Sequence, residues 1–142
     1  MKFIIVDTSV WSKALRRKSF SENEKKMINY LEKIIRDGRV IMIGAIRQEI
    51  LCGISDENRF EKLRSALEAF SDFELMEEDY TTASKYYNKC RSHGIQGSMT
   101  DFLICSVAAH HNFSIFALDN DFDYYKEYID LDLVKESDWN IG

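Results

Sequence analysis

Asp7, Glu49, Asp101, Asp119 and Asp121 are the acids whose settings set them apart from an ordinary charged surface. Asp7 ends the apolar run Phe3-Ile4-Ile5-Val6 and is followed by two hydroxyl residues, Thr8 and Ser9. Asp119 and Asp121 follow a second apolar run, 113–118, and Asp101 is the only charged residue in the stretch 97–109, GSMTDFLICSVAA. Glu49 lies in AIRQEIL, about one helical turn beyond the apolar stretch 40–43. Carboxylates that converge repel one another unless they are protonated or bound to cations. A set of hard oxygen donors favours Mg²⁺ or Mn²⁺, which keep several waters and engage phosphate. Such ions polarise a phosphoryl group and lower the pKa of a bound water, so the implied chemistry is phosphodiester hydrolysis.

That chemistry requires elements that bring the acids to one place. Residues 3–6 are rich in Ile with no polar alternation, the pattern of a strand covered on both faces. In open α/β sheets ligands collect at the carboxyl ends of strands, where Asp7 stands; the alternative reading of Asp7 is a helix N-cap. A short helix is expected over 9–17. Ser21 with Glu24 makes a capping box for a second helix that carries Met27, Ile28, Leu31, Ile34 and Ile35 to a stop at Gly38. Strands are expected at 40–43, 73–76, 113–118 and 131–135. Helices are expected at 45–52, 56–70, from Asp79 to Gly94, and around 124–128. The stretch 97–109 is apolar nearly all round, the mark of a buried helix. Asp101 in its first turn gains from the helix dipole but still needs a compensating cation. The fold class expected is α/β: a single domain spanning 1–142, with a mostly parallel central sheet and helices on both faces. In such a sheet all these acids face the same edge. Each also has a plain reading: Glu49 as a surface helical acid, Asp119 and Asp121 as a turn before the last helix.

Nineteen basic and 24 acidic residues give a formal charge of −5, which speaks against a polyanionic partner until the acids assigned to metal are set aside. Lys13, Arg16, Arg17 and Lys18 lie together downstream of Asp7, either as a solvated face or as contacts to nucleic-acid phosphates. His93, His110 and His111 read as cap or surface residues, and Cys90-x-x-His93 is too isolated for a zinc site. Tyr124, Tyr125 and Tyr128 read as core and rim, with stacking on a base as the alternative. Three cysteines without CxxC spacing suit a reducing compartment. No apolar run nears the roughly 20 residues that span a bilayer, and the start is too short in apolar residues for a signal peptide, so a cytoplasmic location without membrane contact is expected.

In order along the chain, VDTSVW, RQEIL, GSMTDFLICSVAA and FALDNDF resemble the spaced acidic motifs of PIN-domain ribonucleases, particularly the VapC-type toxins of toxin–antitoxin pairs. The likeness runs over essentially the whole chain. It implies that Asp7, Glu49, Asp101 and Asp119 are metal-binding and catalytic acids, with Asp121 as an auxiliary metal ligand and Thr8 or Ser9 orienting Asp7. It also implies an RNA substrate, an antitoxin partner whose tail blocks the acidic pocket, and a homodimer. Ala117 departs from the family's usual Thr two residues before the third Asp. Two other classes stay open. A phosphatase or phosphotransferase using Asp7 as nucleophile would want a second acid where Ser9 stands. The other is a catalytically silent domain that binds RNA or protein. A dinucleotide site is disfavoured, since no glycine-rich loop follows the first strand.

Overall fold

The computed structural model describes residues 1–16 and 18–140, and the apolar run near its start is the strand β1, Ile4–Val6, with all three residues buried. In order follow α1 (Thr8–Arg16), α2 (Glu22–Arg36), β2 (Val40–Ile41), α3 (Gly44–Leu51), α4 (Glu57–Leu67), α5 (Glu77–Ser92), α6 (Met99–His111), β3 (Ser114–Phe116), α7 (Asp121–Tyr125) and β4 (Asp132–Leu133). A 3-10 turn, Glu136–Trp139, closes the described chain. The strands form one parallel sheet in the order β2-β1-β3-β4. Successive strand residues face opposite sides. Ile4, Ile5 and Val6 are each at most 1% exposed, so the sheet is covered on both faces.

This order has a functional consequence. From β1 the chain moves outward to β2, then returns past β1 to β3 and continues to β4. Connections leaving β1 and β3 therefore diverge, and right-handed crossovers put them on opposite faces. A crevice opens at the carboxyl ends of these two strands, the usual ligand position in open α/β sheets. Val6 pairs with Phe116 in register, and Asp7 N donates to Phe116 O at 2.8 Å, so Asp7 leaves the sheet at that crevice.

Local sequence accounts for the helices that frame it. Ser21 and Glu24 close a reciprocal capping box on α2, worth about 1 kcal/mol. The buried stripe of α2 packs on the sheet through Tyr30, whose ring meets Phe116 edge-on at 5.4 Å. Ser98 caps α6, and Asn112 ends it in the left-handed conformation at φ 58°, which Asn tolerates better than most residues. A clasp ties α5 to α6: Ser106 Oγ donates to Asp79 O at 2.6 Å, and the buried Asp79 carboxylate accepts from His110 Nδ1 at 2.9 Å and from Met76 N at 2.9 Å.

Several boundaries differ from the sequence expectation. Residues 73–76 are not a strand. Phe73 and Leu75 do alternate with exposed neighbours, but β2 is only two residues long and offers no ladder beyond the single bridge of Met42 to Asp72. Asp79 then caps the turn at Met76, so α5 starts at Glu77 rather than at Asp79. The last α-helix begins at Asp121, earlier than the expected 124, because Asp119 Oδ1 accepts the Asp121 N–H and turns the chain at once. The strands at 40–43, 113–118 and 131–135 are each shorter than expected. Arg17, expected at the end of the first helix, lies outside the described residues.

Candidate functional site

The end of β1 and the start of α1 hold the centre of the site. Asp7 is 4% exposed, and its Oδ2 accepts from Ser9 N at 3.1 Å and from Ser9 Oγ at 2.6 Å. The same Ser9 hydroxyl accepts the Leu118 N–H at 3.0 Å. One side chain thus joins the ends of β1 and β3 and fixes the Asp7 carboxylate between them. Trp11 Nε1 donates to Val6 O at 3.1 Å and pins the first turn of α1 against the strand end.

Thr8 faces elsewhere. Its Oγ1 donates to Glu49 Oε1 at 2.7 Å and holds that exposed acid of α3 one residue from Asp7. The two hydroxyls after Asp7 therefore have separate tasks: Ser9 holds Asp7 and Thr8 holds Glu49.

Asp101 enters from the first turn of α6. Its backbone N–H goes to the capping Ser98 Oγ at 3.0 Å, and its Oδ2 accepts from the Tyr125 hydroxyl at 2.6 Å. Asp119 stands exposed after β3, with Oδ1 accepting from Asp121 N at 3.2 Å.

Three of these acids share one electrostatic environment. Burial raises the Asp7 carboxyl, with the charge of Asp119 adding to it, against the lowering effect of Ser9. Burial pushes Asp101 up to about 6, reinforced by Asp7 and Asp119 and opposed by the bonds from Tyr125 and Ser98. Asp119 is raised by partial desolvation at the crevice and by the charges of Asp121 and Asp123. Burial disfavours the charged form of each, and each further negative charge makes ionisation harder. A positive charge nearby would favour the ionised form of all three.

Among the described residues no three His, Cys, Asp or Glu side chains form a ready-made cage for a metal ion. The donor chemistry fits a hydrated cation instead. Mg²⁺ is held through one or two carboxylates while it keeps several waters, and it needs no all-protein cage. Asp7, Asp101 and Asp119 supply oxygen donors only, in a place where positive charge relieves their repulsion.

Of the basic residues, Lys13 Nζ pairs with Glu24 Oε2 at 2.8 Å, and Arg16 donates to Ile50 O at 2.6 Å, tying α1 to α3. Lys18 is exposed. Arg17 falls outside the described residues. Sequence reasoning missed the contact of Tyr125 with Asp101. Tyr125 lies 24 positions from the acid it contacts, a distance no periodicity reveals. The Gly97-Ser98 pair ahead of a buried helix is the only signal that pointed to its neighbourhood.

The sequence profile of the PIN domain matches residues 4–128. No curated protein matches the sequence. Among solved structures the chain is similar to FitAcB from Neisseria gonorrhoeae, with a TM-score of 0.74 at 17% identity, covering 98% of this chain and 100% of that one. It is similar to VapBC2 from Rickettsia felis bound to a DNA fragment from their promoter, with a TM-score of 0.73 at 15% identity, covering 93% and 97%. A third likeness is to FitAB bound to an IR36 DNA fragment, with a TM-score of 0.70 at 17% identity, covering 99% and 98%.

Proposed function

The chain belongs to the PIN-domain family, and from that premise we propose that it is a Mg²⁺- or Mn²⁺-dependent endoribonuclease, the toxin of a toxin–antitoxin pair that inhibits translation. The observation that carries this reading is the crevice between β1 and β3, where Ser9 fixes the Asp7 carboxylate between the two strand ends and the charge of Asp119 acts on both Asp7 and Asp101. These three would hold the cation, with Glu49 brought alongside by Thr8 and Asp121 supporting Asp119. A divalent ion bound there supplies the positive charge that polarises a phosphoryl group and acidifies a water. Ser9 opposes the upward push of burial on Asp7 by donating two hydrogen bonds to one carboxylate oxygen, the kind of bond that favours the charged form.

The acidic motifs resembling VapC-type toxins and the likeness to FitAcB and VapBC2 support a cognate antitoxin as partner. A cavity of about 600 Å³ between α5 and α6 is lined by Tyr87, Phe102 and Leu103, with Tyr80 and Met99 exposed at its edge. That apolar face supports the expected homodimer. Among the described residues no helix is long and apolar enough to cross a membrane, and the proposed RNA substrate would place the protein's action in the cytoplasm.

The phosphotransferase reading loses ground at Ser9, which stands where a second acid would be needed and whose hydroxyl is engaged by Asp7 and Leu118. The test is incubation of the purified protein with total RNA, with and without Mg²⁺, followed by mapping of the new ends. Discrete Mg²⁺-dependent ends support the proposal, and RNA binding without cleavage would point to the silent domain.

A further inference from the structure

The contact between α7 and the head of α6 has no counterpart in the sequence motifs. Tyr125 is 1% exposed, and its ring is wedged between Phe102 at 4.8 Å and Phe122 at 5.3 Å. Its hydroxyl ends at Asp101 Oδ2, 2.6 Å away. The path of that hydroxyl runs over Gly97. A Cβ at position 97 would overlap the Tyr125 hydroxyl and its ring carbon, and would also crowd Phe102. Gly97 has no positive φ to explain it, so it is the space, not the backbone conformation, that calls for glycine here. A phenol could hydrogen-bond to water with far less constraint. Here a large aromatic ring is buried with its polar tip aimed at one carboxylate oxygen of an acid in the candidate site.

We propose that Tyr125 is a positioning residue for the acidic site: its buried hydroxyl, admitted by Gly97, locks the Asp101 carboxylate in the orientation in which the site takes up a divalent cation. The inference rests on the metal-site reading above and adds a residue to it. Groups that orient a metal-ligating carboxylate hold the ligand's rotamer at the moment of binding, so the cation does not have to immobilise it. Tyr125 also reaches Asp101 from α7, which starts two residues after Asp119. The same lock therefore couples the loop after β3 to the head of α6, on either side of the crevice.

The test uses Mn²⁺ alone as probe, with free ion counted by its paramagnetic resonance during titration of the whole protein. Tyr125→Phe keeps the ring and removes the donor, and its Mn²⁺ affinity is expected to fall about 10-fold. Phe122→Leu loosens the same packing but leaves the donor; it should melt earlier and bind Mn²⁺ as wild type does. Gly97→Ala should weaken Mn²⁺ binding as Tyr125→Phe does, and the double variant should be no weaker than the worse single, because both act through one hydrogen bond. At saturating Mn²⁺, RNA cleavage by Tyr125→Phe should recover most of the wild-type rate. Wild-type Mn²⁺ affinity in Tyr125→Phe overturns the proposal, and so does an equal loss in Phe122→Leu, which would reduce Tyr125 to a packing residue. If wild type and Asp101→Asn are alike in binding no Mn²⁺, the metal-site reading falls and this proposal falls with it. If those two differ while Tyr125→Phe matches wild type, only the positioning role is lost.

Discussion

Thr8 Oγ1 donates to Glu49 Oε1 across 2.7 Å, joining the first residue of α1 to an acid that lies 41 positions further along the chain. Glu49 is exposed, so without this bond its long side chain samples many rotamers. Thr8→Val keeps the shape of the side chain and removes the donor, and Thr8→Ser keeps the donor. Cleavage of RNA is expected to fall about 10-fold in the first and little in the second. Equal activity in Thr8→Val and wild type would mean that Glu49 acts without its tether or does not act at all.

Protonation of Asp101 links stability to pH in the metal-free protein. Its carboxyl is raised from 3.8 to about 6, first by burial and then by Asp7 and Asp119. A group raised on folding stabilises fully below its unfolded value and loses that contribution as pH rises through the folded one. In chelator the melting midpoint should therefore carry a component that falls between about pH 4 and pH 7. Asp101→Asn removes that component and should melt higher than wild type at neutral pH. A lower midpoint for the variant at every pH would show that Asp101 serves only as a helix cap.

A divalent cation bound at the acidic site would offset this penalty. For a dissociation constant of about 1 mM and Mg²⁺ at about 10 mM, linkage gives roughly 1.4 kcal/mol. In a chain of this length that raises the melting midpoint by about 3 to 6 °C. The shift should shrink in Asp101→Asn and in Asp7→Asn at constant ionic strength. Equal shifts in all three proteins would place Mg²⁺ elsewhere.

The Asp79 clasp has the opposite pH sign. Burial alone would raise its carboxyl, but the His110 and Met76 bonds and the charges of His111 and His110 outweigh that and hold it below its usual 3.8. Stability from a depressed carboxyl is present above the unfolded value and is lost as pH falls through the folded one. Glu78 Oε1, 3.9 Å from His110 Nε2, and His111 Nε2, 3.5 Å from Asp79 Oδ1, face the same pair. Asp79→Asn should cost about 2 kcal/mol at neutral pH, and the gap to wild type should close in acid. A gap that is the same at about pH 3 and at pH 7 would remove the ionic part of the clasp.

Much of the fold was legible because it is written in local patterns. The unbroken apolar run before Asp7, the Ser21–Glu24 box and the all-apolar stretch around Asp101 each determine one element with little help from elsewhere. Residues 73–76 were misread because their alternation is strand-like, whereas pairing depends on a free ladder that the two-residue β2 does not extend. Asp7, Asp101 and Asp119 stood out in the sequence because carboxylates at strand ends and on a buried helix are costly, and the structure brings these three within one another's electrostatic reach. The side chains that orient them were less so. Which of Thr8 and Ser9 holds Asp7 is decided by the turn into α1, and Tyr125 reaches Asp101 only through tertiary packing.

Lys18 offers the cleanest probe of RNA contact in the basic run. Lys13 and Arg16 have structural partners in Glu24 and the Ile50 carbonyl, so changing them disturbs the fold as well as the charge. Lys18→Gln should weaken binding to single-stranded RNA and lower the log–log salt slope by about 0.7. An unchanged slope would leave Lys18 as a solvated charge.

The most direct test of the account is RNA cleavage by wild type and by Asp7→Asn in chelator and in Mn²⁺, with folding checked by thermal melts of the same samples. Asp7 is the most buried acid of the set, and Ser9 donates to it in a way that an Asn side-chain oxygen can still accept. The account predicts cleavage only by wild type and only with Mn²⁺, with Asp7→Asn folded and inactive in both conditions. Cleavage by folded Asp7→Asn at the wild-type rate, or wild-type cleavage undiminished in chelator, would contradict it.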